Sequence, residues 1–419
     1  MFQTQIQKAI DTFNEYPRTF WKVVFITFID RVGGALIFPF FALYLTSKFN
    51  VGMTDVGILF ATFSLSSFAG NAIGGALTDR FGRKKIIIFG LIASSFSLVA
   101  MGFAASFQTF FALALFIGIF TDVAGPARDA MVADILPEEK RAAGYGILRI
   151  AFNLSITIGP AIGGLLAGVS YLLLFISDAV ISLLTVVLVA TLLPETKPQR
   201  HADAPQETVA KTFAGYGKVF RDLAFMLFLG FVVLQVLAYM NMNTTLGVYL
   251  RNQFGTSESK YGLLLSINAA MVVLFQFPIT RRVEKYPPML MMALGTFLYA
   301  VGFSMYGYVS SYTMFIVAMV VITIGEMIVA PVQQALTAKF APEEMRGRYM
   351  AVAGLAWGIP FMIGPYLAGL IIDGPRPERL WYIAGFIGLL SAFGFLNLNR
   401  IIARRRGDQA QSQVIPDTV

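Results

Sequence analysis

The sequence predicts an all-α membrane protein of about twelve transmembrane helices, arranged as two pseudo-symmetric six-helix bundles. Three observations predict it. The 419 residues are 57% hydrophobic and only 13% charged, with a mean hydropathy of +0.69, where a soluble chain carries about a quarter charged residues. The apolar residues run in blocks such as Ile86–Phe103, Phe107–Phe120 and Tyr171–Leu193, near the roughly 20 residues a helix needs to cross the hydrocarbon core. Lastly, the second half repeats the first at one constant offset.

Because lipid cannot satisfy backbone polar groups, each block must be helical. Spans fall near residues 20–46, 52–77, 85–104, 107–132, 143–168 and 171–193, then 223–250, 259–279, 288–307, 312–336, 348–372 and 379–401. Residues 1–193 thus form an N-terminal bundle and 222–401 a C-terminal one, with a tail over 402–419. Ahead of the first span, Phe2, Ile6, Ile10 and Phe13 recur at roughly helical spacing before Pro17, which fits a short interfacial helix over 1–17 with a disordered leader as the alternative. No apolar core with a small-residue cleavage site precedes it, so no cleavable signal is expected. The polar stretch 194–221 holds Pro194, Pro198, Pro205 and the only histidine, His201, and reads as a cytoplasmic linker.

The formal charge of +8 invites a nucleic-acid reading, but the basic residues sit in short loops and the tail rather than on one folded face. Alternate loops differ instead. One side holds Arg80, Arg83, Lys84, Lys85, Lys140, Arg141, Arg281, Arg282, Lys285, Lys339 and Arg404–Arg406, while the other holds only Lys48, Arg251, Lys260, Arg376 and Arg379. The positive-inside rule places the termini and the middle loop in the cytoplasm; the expected location is the cell inner (cytoplasmic) membrane. With no cysteine, one loop histidine, no HExxH cluster and no P-loop, the residues offer no metal site, cofactor site or catalytic constellation. The energy source expected is an ion gradient.

The repeat is carried by several separate segments. Gly159-Pro160 corresponds to Gly364-Pro365 (364 − 159 = 205), and the same shift maps Tyr44-Leu45 to Tyr249-Leu250, Gly57 to Gly262, Pro126 to Pro331, and Pro137-Glu138-Glu139 to Pro342-Glu343-Glu344. Paired halves imply a solute site between them near mid-membrane, with access alternating between the two sides.

Between the second and third spans stands Gly75-Ala76-Leu77-Thr78-Asp79-Arg80-Phe81-Gly82-Arg83-Lys84-Lys85. Here the chain resembles the major facilitator superfamily, whose signature in that loop is G-x-L-x-D-R-x-G-R-K, and the repeat extends the resemblance over about the whole chain. The resemblance implies a cytoplasmic latch built on Gly75, Asp79, Arg80, Gly82 and Arg83, with Arg83 pairing with Asp134. Gly75 is expected to permit close helix approach and Gly82 a tight turn; the second copy, Thr280–Lys285, lacks both glycines. Gly159-Pro160-Ala161-Ile162-Gly163-Gly164 is similar to the G-P-x-x-G-G motif of the family's drug/proton antiporters. What this implies is export of small molecules against proton entry; a monomer in the lipid bilayer is the expected form. Other solutes (a lipid, a sugar or a peptide) and a non-transporting receptor are the alternatives.

Ionisable groups within spans are functional candidates by default. Asp30 and Glu326 are the leading proton sites, since an apolar cavity favours the neutral form of a carboxyl, which can then load a proton. Asp122 and Arg128 share the fourth span, and Arg128 loosely matches an arginine the resemblance links to proton transfer. Asp30 can alternatively pair with Arg128 or Arg149. Asp178 is expected to cap or pair near the outer end of the sixth span. Arg31, Arg149, Gln235, Tyr239, Asn241 and Asn268 are the expected substrate-cavity residues, with Asn243, Phe38 and Phe40 beside them. The offset maps Asp30 to Gln235 and Arg128 to Gln333, so charge is concentrated in the first half.

Overall fold

The computed structural model describes residues 13–196, 216–342 and 345–412. The side chains of Ala76, Asp79, Thr121, Asp122, Glu138, Ala142, Arg346 and Gly347, and those beyond residue 400, lie outside that description. So do most of the expected interfacial helix and the linker around His201; of these segments, 13–17, 194–196 and 216–221 are described, with helix at 13–15 and 216–221.

Helix α1 (Arg18–Ile37), a 3-10 turn at Phe38–Phe40 and α2 (Phe41–Lys48) form the first span. Then come α3 (Met53–Phe81), α4 (Arg83–Gly102), α5 (Phe107–Ile135), α6 (Glu138–Val169) and α7 (Tyr171–Leu192). The second half holds α8 (Leu223–Thr244), α9 (Leu246–Phe254), α10 (Glu258–Val283), α11 (Pro288–Met305), α12 (Tyr312–Phe340), α13 (Arg346–Ile372) and α14 (Arg379–Ser412). Among the described residues, twelve helical stretches are long and apolar enough to cross a membrane. The expected last span at 379–401 is thus the first part of a longer helix.

The repeat recurs as repeated bonding. Tyr44 donates its hydroxyl to the Met101 carbonyl at 3.2 Å, and Tyr249 donates to the Tyr306 carbonyl at 3.0 Å, each residue shifted by 205. Ser106 Oγ caps α5 by accepting from Thr109 N–H, and its counterpart Ser311 caps α12 by accepting from Met314 N–H. The first span breaks at Pro39, whose missing N–H interrupts the helical ladder. Its counterpart breaks at Thr245, between α8 and α9.

The chain divides into two compact units, Met1–Ala202 with Leu250–Ser266, and Asp203–Tyr249 with Ile267–Val419. In the first unit α3 lies backbone to backbone on α5, while α1 packs on α6 and α7. The segment Leu250–Ser266 is bound into that unit by specific contacts. Arg251 donates from Nη1 to the Leu43 carbonyl at 3.0 Å and from Nη2 to Thr46 Oγ1 at 2.9 Å, and the Tyr171 hydroxyl donates to Glu258 at 2.8 Å. In the second unit α11 packs on α12 and α14. Its Phe303 stacks on the fully buried Trp381 with ring planes 7° apart.

Candidate functional site

Helices α8, α10 and α12 converge on Glu326 in the second unit. The Tyr239 hydroxyl donates to Glu326 Oε1 at 2.9 Å, and Asn268 Nδ2 donates to Glu326 Oε2 at 2.7 Å. Thr323 lies one turn before Glu326 on the same helix face, and its hydroxyl accepts from Asn268 Nδ2 at 3.0 Å, which orients the amide. Tyr239 is held in turn by aromatic contacts with Tyr299 of α11 and Trp357 of α13, at centroid distances of 5.5 and 6.1 Å. Glu326 makes no salt bridge among the described residues.

The chemistry of that donor set is specific. As a carboxylate, Glu326 accepts one bond on each oxygen from a neutral donor. After protonation at Oε1 the carboxyl becomes a donor, and a phenol hydroxyl can rotate to accept it. Tyr239 therefore serves both protonation states, and Asn268 continues to donate to Oε2. Among the described residues no cation forms a salt bridge with the group. The sequence reading had named Glu326, Tyr239 and Asn268 separately; the structure brings them together. It missed Thr323, although its spacing three residues before Glu326 was a usable signal.

In the first unit Asp30 of α1 is paired. Arg128 Nη2 lies 2.9 Å from Asp30 Oδ2, with the side chains 20% and 12% exposed. Arg128 rather than Arg149 is the partner, since Arg128 projects from α5 toward α1. Asp178 of α7, expected to cap or pair near the outer end of its span, is buried at 7% exposure and makes no salt bridge among the described residues. Its carboxylate occupies the space a side chain on Gly33 would fill, one turn from Asp30, so two carboxyls and one guanidinium share this region. Asp122 shares α5 with Arg128, its side chain outside the described residues.

The loop between α3 and α4 forms a second cluster. Arg83 Nε donates to Asp134 Oδ2 at 3.0 Å and Arg83 Nη1 to the Thr78 carbonyl at 3.2 Å. Gly82 sits at φ +101°, a conformation that glycine adopts readily and other residues do not. The sequence reading missed Glu195, whose Oε1 accepts the Arg83 N–H at 2.7 Å and so caps the positive end of α4. Thr196 Oγ1 completes the cluster by donating to Asp134 at 3.1 Å. Arg80 is exposed with its guanidinium over Phe81; the Asp79 side chain is outside the described residues. Gly75 requires a correction, because a Cβ there would meet open space. Gly70 and Gly74 make the close approach, against the carbonyls of Ile119 and Val123. Gly75 is rotated about 100° from that face.

The Gly159–Gly164 run is a packing seam within the first unit. Side chains on Gly159 and Gly163 would collide with Ala35 and the Leu36 carbonyl of α1, and one on Gly164 would lie 2.7 Å from the Gly262 Cα. Pro160 lies inside α6 and is buried.

Two expected cavity residues turn out to be packing groups. Gln235 is 3% exposed and accepts from Thr296 of α11 at 3.3 Å. Asn241 is buried and bonds its own helix, donating to the Leu237 carbonyl at 2.9 Å. Local bonding of this kind satisfies an amide without any ligand. Arg31 and Arg149 are exposed in the first unit, with the Arg31 guanidinium 5.5 Å from the Phe152 ring centroid.

Twelve spanning helices, a repeat shared by two units and ionisable groups within the spans define a multi-pass membrane transporter. The model of the Major Facilitator Superfamily matches residues 23–249 and again 231–414. The chain belongs to that superfamily. It is 28% identical over 404 residues to a "Na(+), Li(+), K(+)/H(+) antiporter" of Planococcus maritimus, covering 88% of this chain and 93% of that protein. It is 24% identical over 384 residues to the "Multidrug resistance protein MdtH" of Shigella flexneri, covering 90% and 92%. Among solved structures, the nucleoside transporter NupG superposes with a TM-score of 0.72 at 12% identity, over 91% of this chain and 99% of that one, a likeness of fold alone.

Proposed function

We propose that the protein is a proton-coupled secondary transporter of the inner membrane, with both termini cytoplasmic, that exports small amphipathic or cationic molecules by proton antiport. The observation that carries the reading is Glu326, held on both oxygens by neutral donors that suit either protonation state. Glu326 takes up a proton when exposed to one side and releases it to the other as the two units alternate access. The Asp30–Arg128 pair is internally compensated and holds α1 to α5. The Arg83–Asp134–Glu195 cluster shapes the cytoplasmic loop that serves as the latch. The names of two relatives, an alkali-cation/proton antiporter and a multidrug resistance protein, support antiport and leave two cargo classes to separate by experiment.

The test is reconstitution into liposomes under an imposed pH gradient, with a panel of cationic dyes, Na+, Li+ and K+, a sugar and a dipeptide. The expected result is gradient-driven accumulation of a cationic cargo, lost in Glu326→Gln while downhill exchange persists. Accumulation by Glu326→Gln equal to that of the wild type would remove the assignment.

A further inference from the structure

The two units differ at one packing seam. In the first, α3 and α5 touch closely: a Cβ on Gly70 or Gly74 would overlap the carbonyls of Ile119 and Val123, and one on Gly118 would lie 2.7 Å from the Ser66 Cβ. The offset of 205 maps Gly70 and Gly74 to Phe275 and Ile279, Ser66 to Met271, and Gly118 to Thr323. It maps Ile119 and Val123 to Ile324 and Ile328. Bulky side chains thus stand where the seam requires small ones, so α10 and α12 cannot close on each other as α3 and α5 do.

The result is a cleft of about 550 Å³ within the second unit, lined by Met271, Phe275, Ile279, Ile324, Met327 and Ile328 with Arg282 at one end. Its size falls within the roughly 300–1,000 Å³ of ligand sites. Apart from Arg282, the lining residues are apolar. Phe275 and Ile324 remain 49% and 37% exposed, and α10 is the least buried of the twelve spans. The last turn of α10 and the turn after it also carry Arg281, Glu284 and Lys285, which with Arg282 give a local balance of 3 − 1 = +2. An apolar slot ending at a basic turn has the two-part chemistry of an acyl chain with an anionic head.

We propose that this cleft binds a membrane phospholipid with an anionic headgroup, one acyl chain lying between α10 and α12 and the phosphate on Arg282. The apolar wall supplies affinity through buried methylenes. Arg282, the basic residue that lines the cleft, supplies headgroup selectivity, roughly fivefold for one basic residue beside an anionic lipid, from about 1 kcal/mol. The proposal does not depend on proton coupling.

The test uses the full chain in nanodiscs containing trace phosphatidylglycerol or phosphatidylcholine, each with the same acyl-chain diazirine. Crosslinked residues are mapped by peptide mass spectrometry. The expected result is phosphatidylglycerol labelling of Met271, Phe275 and Ile324 about fivefold above Phe386 and Phe393, which are exposed on α14, and about fivefold above phosphatidylcholine. Arg282→Gln should bring the two lipids to equal labelling. Ile324→Trp, filling the cleft, should abolish labelling there at an unchanged melting temperature; if that variant does not fold, Arg282→Gln carries the test alone. Cleft labelling no greater than on α14, equal labelling by both lipids in the wild type, or displacement by a transported cationic dye would each overturn the proposal.

Discussion

Removing Arg128 tests the first-unit ion pair most severely. The pair is close, 2.9 Å, with both side chains at least four-fifths buried. Arg128→Met leaves Asp30 without its cation while Asp178 sits one helical turn away across Gly33. Breaking a buried pair by removing one partner costs about 3–5 kcal/mol, whereas replacing both partners by neutral groups of similar volume is often near neutral. For a cooperative unit of about 200 residues, each kcal/mol shifts the melting temperature by roughly 2–4 °C, so the single variant should lose about 6–20 °C. Asp30→Asn combined with Arg128→Met should recover most of that loss, giving a coupling of at least about 2 kcal/mol in a double-mutant cycle. The assay is thermal unfolding of purified protein in one detergent, followed by intrinsic fluorescence. The double variant should also retain gradient-driven accumulation, since coupling is assigned to Glu326. A coupling below about 0.5 kcal/mol, the additivity expected of independent sites, would refute the argument.

Two further substitutions test local geometry. Gly74→Leu should destabilise by about 1–3 kcal/mol through overpacking on Val123, while Gly75→Leu, facing open space, should stay within about 0.5 kcal/mol; melting temperatures separate the two. Gly82→Ala places a Cβ at φ +101°, ψ 162° and 2.6 Å from the Glu195 carboxylate, so it should cost about 1–3 kcal/mol for the backbone plus the clash. Glu195→Ala relieves the clash but also removes the α4 cap, so the clash is read as the coupling between the two substitutions in a double-mutant cycle, from the same unfolding curves.

Much of the fold was legible in the sequence because the bilayer imposes it: backbone groups must be satisfied within helices, so apolar length alone marks the spans. The repeat was legible as well, and the structure expresses it in bonds such as Tyr44–Met101 and Tyr249–Tyr306. The candidate site was legible by residue type but not by partnership. Tyr239, Asn268 and Glu326 lie on three helices, and only tertiary packing decides which polar groups meet. Gln235 and Asn241 show the converse, because an amide that bonds a neighbouring side chain or its own helix looks like a ligand-binding residue in sequence. Gly75 and Gly74 differ by about 100° around one helix, too fine a distinction for a motif. Glu195 could be placed at the α4 N-terminus only once the chain folded back after α7, since it lies 112 residues from Arg83.

The central claim is that Glu326 carries the coupled proton. It is tested most directly by following the pH of a weakly buffered solution of purified protein as a transported cargo is added. The account predicts proton release from the wild type, as the Glu326 carboxyl gives up its proton on cargo binding, and none from Glu326→Gln at cargo occupancy matched by binding assay. Equal proton release from both proteins would contradict it.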